Sequence, residues 1–187
     1  LVACGLAVGL AYARRIDPRP AGRIGHGLAG LGYAIPGTVV AVGVLIPLAR
    51  LDNAVAEGLR TAFGWHTGLI LTGGIAALVY ACVVRFMAPA LQTVDSALAR
   101  ITPHMDDAAR SLGLSSQETL ARVHVPLLRR GLLTAALLVF IDVMKELPAT
   151  LVMRPFNFDT LATQAYQLAS DERLAEAATA SLAIVGV

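Results

Sequence analysis

Residues 27–49 read GLAGLGYAIPGTVVAVGVLIPLA and residues 67–84 read TGLILTGGIAALVYACVV, and neither stretch holds a charged side chain. The first is 23 residues long and the second 18, where a helix needs roughly 20 apolar residues to cross about 30 Å of hydrocarbon. Both runs are too long and too little alternating for barrel strands, and an isolated strand cannot satisfy its backbone in lipid. Both are therefore expected to be membrane-spanning helices, the second with Arg85 reaching toward the headgroups.

Three more apolar runs lie outward from these. Leu1 to Ala13 is uncharged, Gly131 to Met153 is apolar except for Asp142, Lys145 and Glu146, and Ala177 to Val187 is still apolar where the sequence stops. Leu1 to Ala13 lacks the basic start of a signal peptide, so both end runs are expected to be membrane helices cut short, and the chain a fragment. Charged residues make up 15% of the sequence against about 25% in soluble domains. The expected fold is an all-α, polytopic transmembrane bundle of about five segments, the first and last cropped, with residues 1–187 forming one domain. Glycines such as Gly5, Gly9, Gly30 and Gly43 suit close helix approach in a bilayer. Pro36-Gly37 is expected to kink the second helix or open its backbone.

Arginines fix the expected orientation. Arg14, Arg15, Arg19 and Arg23 lie in one connecting segment, and Arg100, Arg110, Arg122, Arg129 and Arg130 in the polar stretch Leu91–Arg130. The alternate connections hold Arg50 and Arg60, then Arg154 and Arg173. Nine against four, on alternating sides, places Arg14–Arg23 and Leu91–Arg130 in the cytoplasm, with Arg50–His66 and Arg154–Glu176 outside. Four of the nine are wedged between membrane runs, which argues against nucleic acid as a partner and for the bilayer. Cys4 and Cys82 lie in apolar runs and read as small buried hydrophobes. His26, His66, His104 and His124 have no ligand spacing and read as surface or interfacial side chains, and no metal site is expected. Trp65 suits an interfacial anchor.

The segment 102–126 is punctuated like a built element. Thr102 suits a helix N-cap with Pro103 at the first helical position, Asp106 and Asp107 follow near the positive helix end, and Gly113 suits its C-terminal stop. Ser115-Ser116-Gln117-Glu118 spells a capping box that starts a second helix, and Pro126 is expected to mark its break. Asp107-Ala108-Ala109, three residues, Gly113, nine residues, then Val123-His124-Val125-Pro126 resembles the EAA loop of binding-protein-dependent ABC importer permeases. The departures from that pattern are Asp for Glu, Val for Ile and Val for Leu.

The resemblance implies that Asp107, Ala108, Ala109, Gly113, Val123 and Pro126 form an ATPase-coupling loop whose first helix docks into a groove of a separate ATPase subunit. It implies an inner-membrane, multi-pass permease of a bacterium, with a periplasmic solute-binding protein and a second permease half as partners. The stretches Asp142 to Leu151, Arg154 to Ala162 and Leu168 to Ala178 resemble the ferric-iron branch of these permeases, in its C-terminal half. Ferric iron is therefore the expected cargo, with sulfate, molybdate, thiamine or polyamine as the alternatives within the fold. A membrane enzyme or a non-transporting scaffold would be the alternative from another class.

No phosphate-binding loop surrounds Lys145, the one lysine, so the chain is expected not to be an enzyme and to carry no cofactor, ATP and Mg being held by the partner ATPase. Gly25 to Gly30 fits a dinucleotide-binding glycine pattern letter for letter. It has the wrong neighbours for that role, an arginine-rich segment and a membrane run rather than a strand and a crossover. Asp142, Lys145 and Glu146 stand at i, i+3 and i+4 and are expected to share a helix face. Asp142 and Glu146 would lie about 18 and 24 Å beyond Arg130 along a helix. Ionisable groups at such depth face a bundle interior or a water-filled path; a salt bridge from Lys145 to one carboxylate and a place lining the transport path both fit. Asp159, Asp171, Glu172 and Glu176 read as a solvated outer face.

Overall fold

In a computed structural model the chain is described for residues 1–16, 20–65 and 68–186, without the side chains of 20–23; Arg19, His66 and the Arg23 side chain thus lie outside the described residues. Every regular element among them is helical: α1 (Val2–Ile16), α2 (Pro20–Leu31), α3 (Gly37–Phe63), α4 (Ile75–Leu98), α5 (Pro103–Ser111), α6 (Ser116–Thr119), a π turn (Leu120–His124), α7 (Val125–Met144), α8 (Pro148–Met153), α9 (Leu161–Ser170) and α10 (Leu174–Val185). The expected all-α class is found. The helices belong to two compact units, Leu1–Tyr33 with Phe86–Phe140, and Ala34–Arg85 with Ile141–Val187. Each is assembled from two separate stretches of chain.

Among the described residues, α3 and α4 are long and apolar enough to cross a membrane. At 1.5 Å per residue the 27 residues of α3 extend about 40 Å, more than the hydrocarbon thickness. Three boundaries depart from the sequence reading. The apolar run 27–49 is two helices, because the chain turns at 32–36 and α3 starts after Pro36, whose ring suits a helix entrance and not an interior. Of the two outcomes expected at Pro36-Gly37, the open backbone is the one found.

Arg50 onward continues α3 to Phe63 rather than forming a loop, helped by the Arg60–Glu57 pair at 2.8 Å one turn apart. The third departure is α4, which begins at Ile75 and runs to Leu98, past Pro89. Its approach is fixed by Asp52, a buried carboxylate on α3. Asp52 accepts from the backbone N–H of Ile70, Leu71 and Thr72 and from the Thr72 hydroxyl, at 2.7–3.0 Å. A buried charge needs such saturation. The Gly25–Gly30 stretch lies inside α2, with no strand before it among the described residues.

The core of the second unit joins α3, α4 and α8. Val40, Ala41 and Val44 meet Ala77, Leu78 and Ala81, with Ala149 and Met153 closing the layer. Small side chains dominate it, as helices packing closely in lipid require. Cys4 is buried and Cys82 half-buried, and both are free thiols.

Candidate functional site: the 102–126 loop and a buried ion pair

Local rules build the segment 102–126 almost residue by residue. Thr102 stands at the N-cap of α5 with Pro103 at the first helical position, but its side chain makes no capping bond. At the other end, Gly113 takes φ +80°, the Gly113 N–H bonds to Arg110 O at 3.0 Å and the Leu114 N–H to Ala109 O at 3.1 Å. That pair of bonds is the Schellman termination, which needs a left-handed residue. The capping box follows in full. Ser115 Oγ accepts from the Glu118 N–H at 3.3 Å, and Glu118 Oε2 accepts from the Ser115 N–H at 3.0 Å and its hydroxyl at 2.8 Å. These bonds hold the Glu118 carboxyl below the usual glutamate range, first through the Ser115 backbone and then through its hydroxyl, with Arg122 adding to the effect.

Pro126 does not break the helix as expected. The chain runs through a π turn into α7, with the Val125 N–H bonding to Leu120 O instead of one residue later. A widened turn moves carbonyls away from the proline ring and accommodates its missing N–H.

The six residues expected to couple to the ATPase do not all face the same way. Asp107 is exposed and pairs loosely with Arg110, 3.4 Å away. Ala108 is exposed, whereas Ala109 is the one buried residue of α5, so its small side chain serves the loop's own packing. Gly113 is exposed at the turn, Val123 is half-buried on the π turn, and Pro126 is exposed at the start of α7. Most of α5 is exposed, Asp107 and Ala108 among its residues, and Leu112 at its C-cap is exposed as well.

Behind this surface lies a polar network that sequence reading missed. The guanidinium of Arg15, at the end of α1, donates to Asp106 Oδ2 at 2.9 Å, to Leu98 O at 3.0 Å and to Ile101 O at 2.8 Å. His124 Nε2 lies 2.6 Å from the other carboxylate oxygen, Asp106 Oδ1. Tyr12 donates its hydroxyl to Ser116 O at 2.7 Å and sets its ring edge-on to His124 at 5.2 Å. His124 is therefore not a surface histidine; it is fully buried. The one local signal was a histidine inside the second half of the EAA-like pattern. The acid partner 18 residues away in sequence gave none.

The Asp142, Lys145 and Glu146 cluster does not assemble as a helix face. α7 ends at Met144, so Lys145 and Glu146 fall in the turn before α8. Lys145 is exposed and Asp142 half-buried, and neither makes an ion pair among the described residues. The salt bridge expected from Lys145 is instead made to Glu146 by Arg85, with Nε 2.9 Å from Oε2 and both side chains largely buried. Arg85 thus does not reach toward the headgroups. Its Nη1 also donates to Ile35 O at 2.7 Å, and Glu146 Oε1 accepts from the Ala149 N–H at 3.1 Å. Gly37 lies against this pair. A Cβ there would stand 2.5 Å from Glu146 Oε1 and 3.3 Å from the Ala149 nitrogen.

Among the described residues no three His, Cys, Asp or Glu side chains converge as a metal site would require. Of the acids expected on the outer face, Asp159 is engaged by Arg154 and Glu176 by Arg173.

Comparison with known proteins follows the same line. The family described as binding-protein-dependent transport system inner membrane component matches residues 5–187. The chain is 33% identical over 180 residues to a putative ferric transport system permease protein of Haemophilus influenzae, covering 95% of this chain and 27% of that protein. It is also 33% identical over 180 residues to a ferric transport system permease protein of Actinobacillus pleuropneumoniae, of which it covers 25%. A putative 2-aminoethylphosphonate transport system permease protein of Salmonella typhimurium is 28% identical over 142 residues, 76% of this chain and 53% of that protein. The chain spans about a quarter of the length of the two ferric relatives.

Proposed function

The chain belongs to the family of binding-protein-dependent transport system inner membrane components, and on that premise we propose that it forms part of the translocation pathway of an ATP-driven importer for ferric iron. A separate ATPase drives it and a separate solute-binding protein delivers the cargo. The observation that carries the coupling role is the loop 102–126. Its Schellman turn and capping box bound a nine-residue helix that is exposed along most of its length, Asp107 and Ala108 included, with Leu112 exposed at its C-cap, so that it is free to enter a groove.

The ferric cargo is supported by the two iron relatives, which align over 95% of the chain. The phosphonate relative favours a second reading, an organophosphonate anion as cargo through the same fold. Expressing the full-length protein with its neighbouring ATPase and binding protein, and measuring uptake of radiolabelled ferric iron beside labelled 2-aminoethylphosphonate, separates them. Iron uptake that requires ATP, without phosphonate uptake, is the expected result. Phosphonate uptake alone overturns the iron reading, and uptake of neither overturns both.

A further inference from the structure

α5 has one buried residue, Ala109, and an alanine side chain is a weak apolar anchor. Yet a helix that transmits force must be held on its inner side. The inner hold here is polar and centres on Asp106, the residue before the outward-facing Asp107. One of its oxygens takes the Arg15 guanidinium at the end of α1, and the other takes buried His124 on the π turn that leads into α7. The same guanidinium donates to the carbonyls of Leu98 and Ile101 at the end of α4, where a cation also complements the helix dipole. Tyr12, one turn earlier on α1, bonds Ser116 O and packs on His124. One carboxylate therefore joins the coupling helix, α1, the end of α4 and the root of α7. The Arg15 fork converges on one oxygen, Asp106 Oδ2, through Nε at 2.9 Å and Nη2 at 2.8 Å; charge-assisted bonds of this type are directional as well as strong, so displacement of α5 cannot leave α1 behind without breaking them.

We propose that Asp106 is the positioning residue through which movement of the coupling helix reaches the apolar helix α1, with Arg15 and His124 holding its two oxygens. The proposal rests on α5 being the ATPase-docking helix. Neighbouring acids divide the work: Asp107 faces the partner and Asp106 faces the protein's own helices.

The test uses the full-length protein purified with its ATPase, with Cys4→Ala and Cys82→Ala and a single reporter Leu6→Cys on an exposed position of α1. The labelling rate of that thiol is measured with and without vanadate-trapped nucleotide, a readout that needs no cargo. In the parent the rate should change on trapping. In Asp106→Asn the change should be lost or fall several-fold while the ATPase still co-purifies and traps nucleotide, and Asp106→Glu should restore it. Arg15→Lys, which keeps the charge but not the fork that reaches Leu98 and Ile101, should behave like Asp106→Asn and serves as the readout if the latter fails to assemble. A full response in either assembled variant overturns the proposal, as does a parent in which trapping leaves the reporter unchanged. A parent that fails to hold the ATPase overturns instead the docking reading of α5, and this proposal falls with it.

Discussion

At the scale of single residues, two positions carry constraints that a substitution can expose. Gly113 sits at φ +80° with open space around it, so a side chain there meets backbone strain and no steric wall. A left-handed conformation costs an ordinary L-residue roughly 1–2 kcal/mol, and a β-branched one suffers most. Gly113→Val should therefore distort the turn, misplace Ala108 and lower solute uptake per assembled complex, whereas Gly113→Asn should stay near the parent because asparagine tolerates this region. Co-purification with the ATPase, read beside uptake, checks this; parental values of both in the valine variant would reduce the loop to a linker. The second position is the Arg85–Glu146 pair. Arg85→Ala leaves Glu146, 5% exposed, without its nearest cation, and breaking a buried pair costs about 3–5 kcal/mol. Replacing both by apolar side chains, Arg85→Met with Glu146→Leu, should be far milder. The amount of assembled protein in the membrane tests the order: a double variant as poor as the single one would mean that the charges themselves are required. If this site lines the path, uptake per complex should fall in the double variant even where assembly recovers.

Elements show where the sequence was legible and where it was not. The Schellman glycine and the Ser115–Glu118 box were readable because every partner lies within five residues, and short-range rules assign them without knowledge of the fold. Pro126 was misread for the opposite reason. Whether it ends a helix depends on whether the turn before it can widen, and the π turn at Leu120–His124 is a response to surrounding packing that the local sequence does not encode. Arg15 with Asp106, and Arg85 with Glu146, pair across 91 and 61 residues, and no periodicity marks either acid as the partner of its base. Asp142, Lys145 and Glu146 failed as a face because helix spacing was extended past Met144, where the helix stops. The capping box itself gives a pH prediction. The Glu118 carboxyl is held below its usual range by the bonds from Ser115. Its stabilisation is thus complete above the unfolded-state value and disappears as the pH falls through the lower folded value. Hydrogen exchange at the Ser115 amide, corrected for its intrinsic rate, should stay flat from neutral pH down to the ordinary glutamate value, accelerate below it, and level off beneath the lower folded value. In Glu118→Gln the step should vanish.

For the whole molecule, the sequence yielded the class but not which lengths of its apolar runs are helical: about five membrane segments are expected, and among the described residues α3 and α4 are the helices long and apolar enough to span. α3 and α4 are each extended well past the uncharged stretch that revealed them, since a helix does not stop where its side chains cease to be apolar. The orientation argument survives that correction, because it rests on the arginines and not on the helix ends. Arg60 lies in the last turn of α3 and Arg50 at its middle, both still following the uncharged stretch in the chain. On the asymmetry of nine arginines against four, the loop 102–126 is expected in the cytoplasm and the segment after Met153 on the other side. Two reporters chosen from the structure test this without disturbing it. Gln117 is exposed on α6 and takes no part through its side chain in the capping box, and Phe156 is fully exposed before α9; Asn157 beside it is avoided because φ 60° would strain a cysteine. In full-length protein carrying Cys4→Ala and Cys82→Ala, Phe156→Cys should react with a membrane-impermeant maleimide in intact spheroplasts. Gln117→Cys should react only after the membrane is opened. Reaction of both in intact spheroplasts would place the loop outside, where no ATPase could reach it, and the importer reading would fall together with the topology.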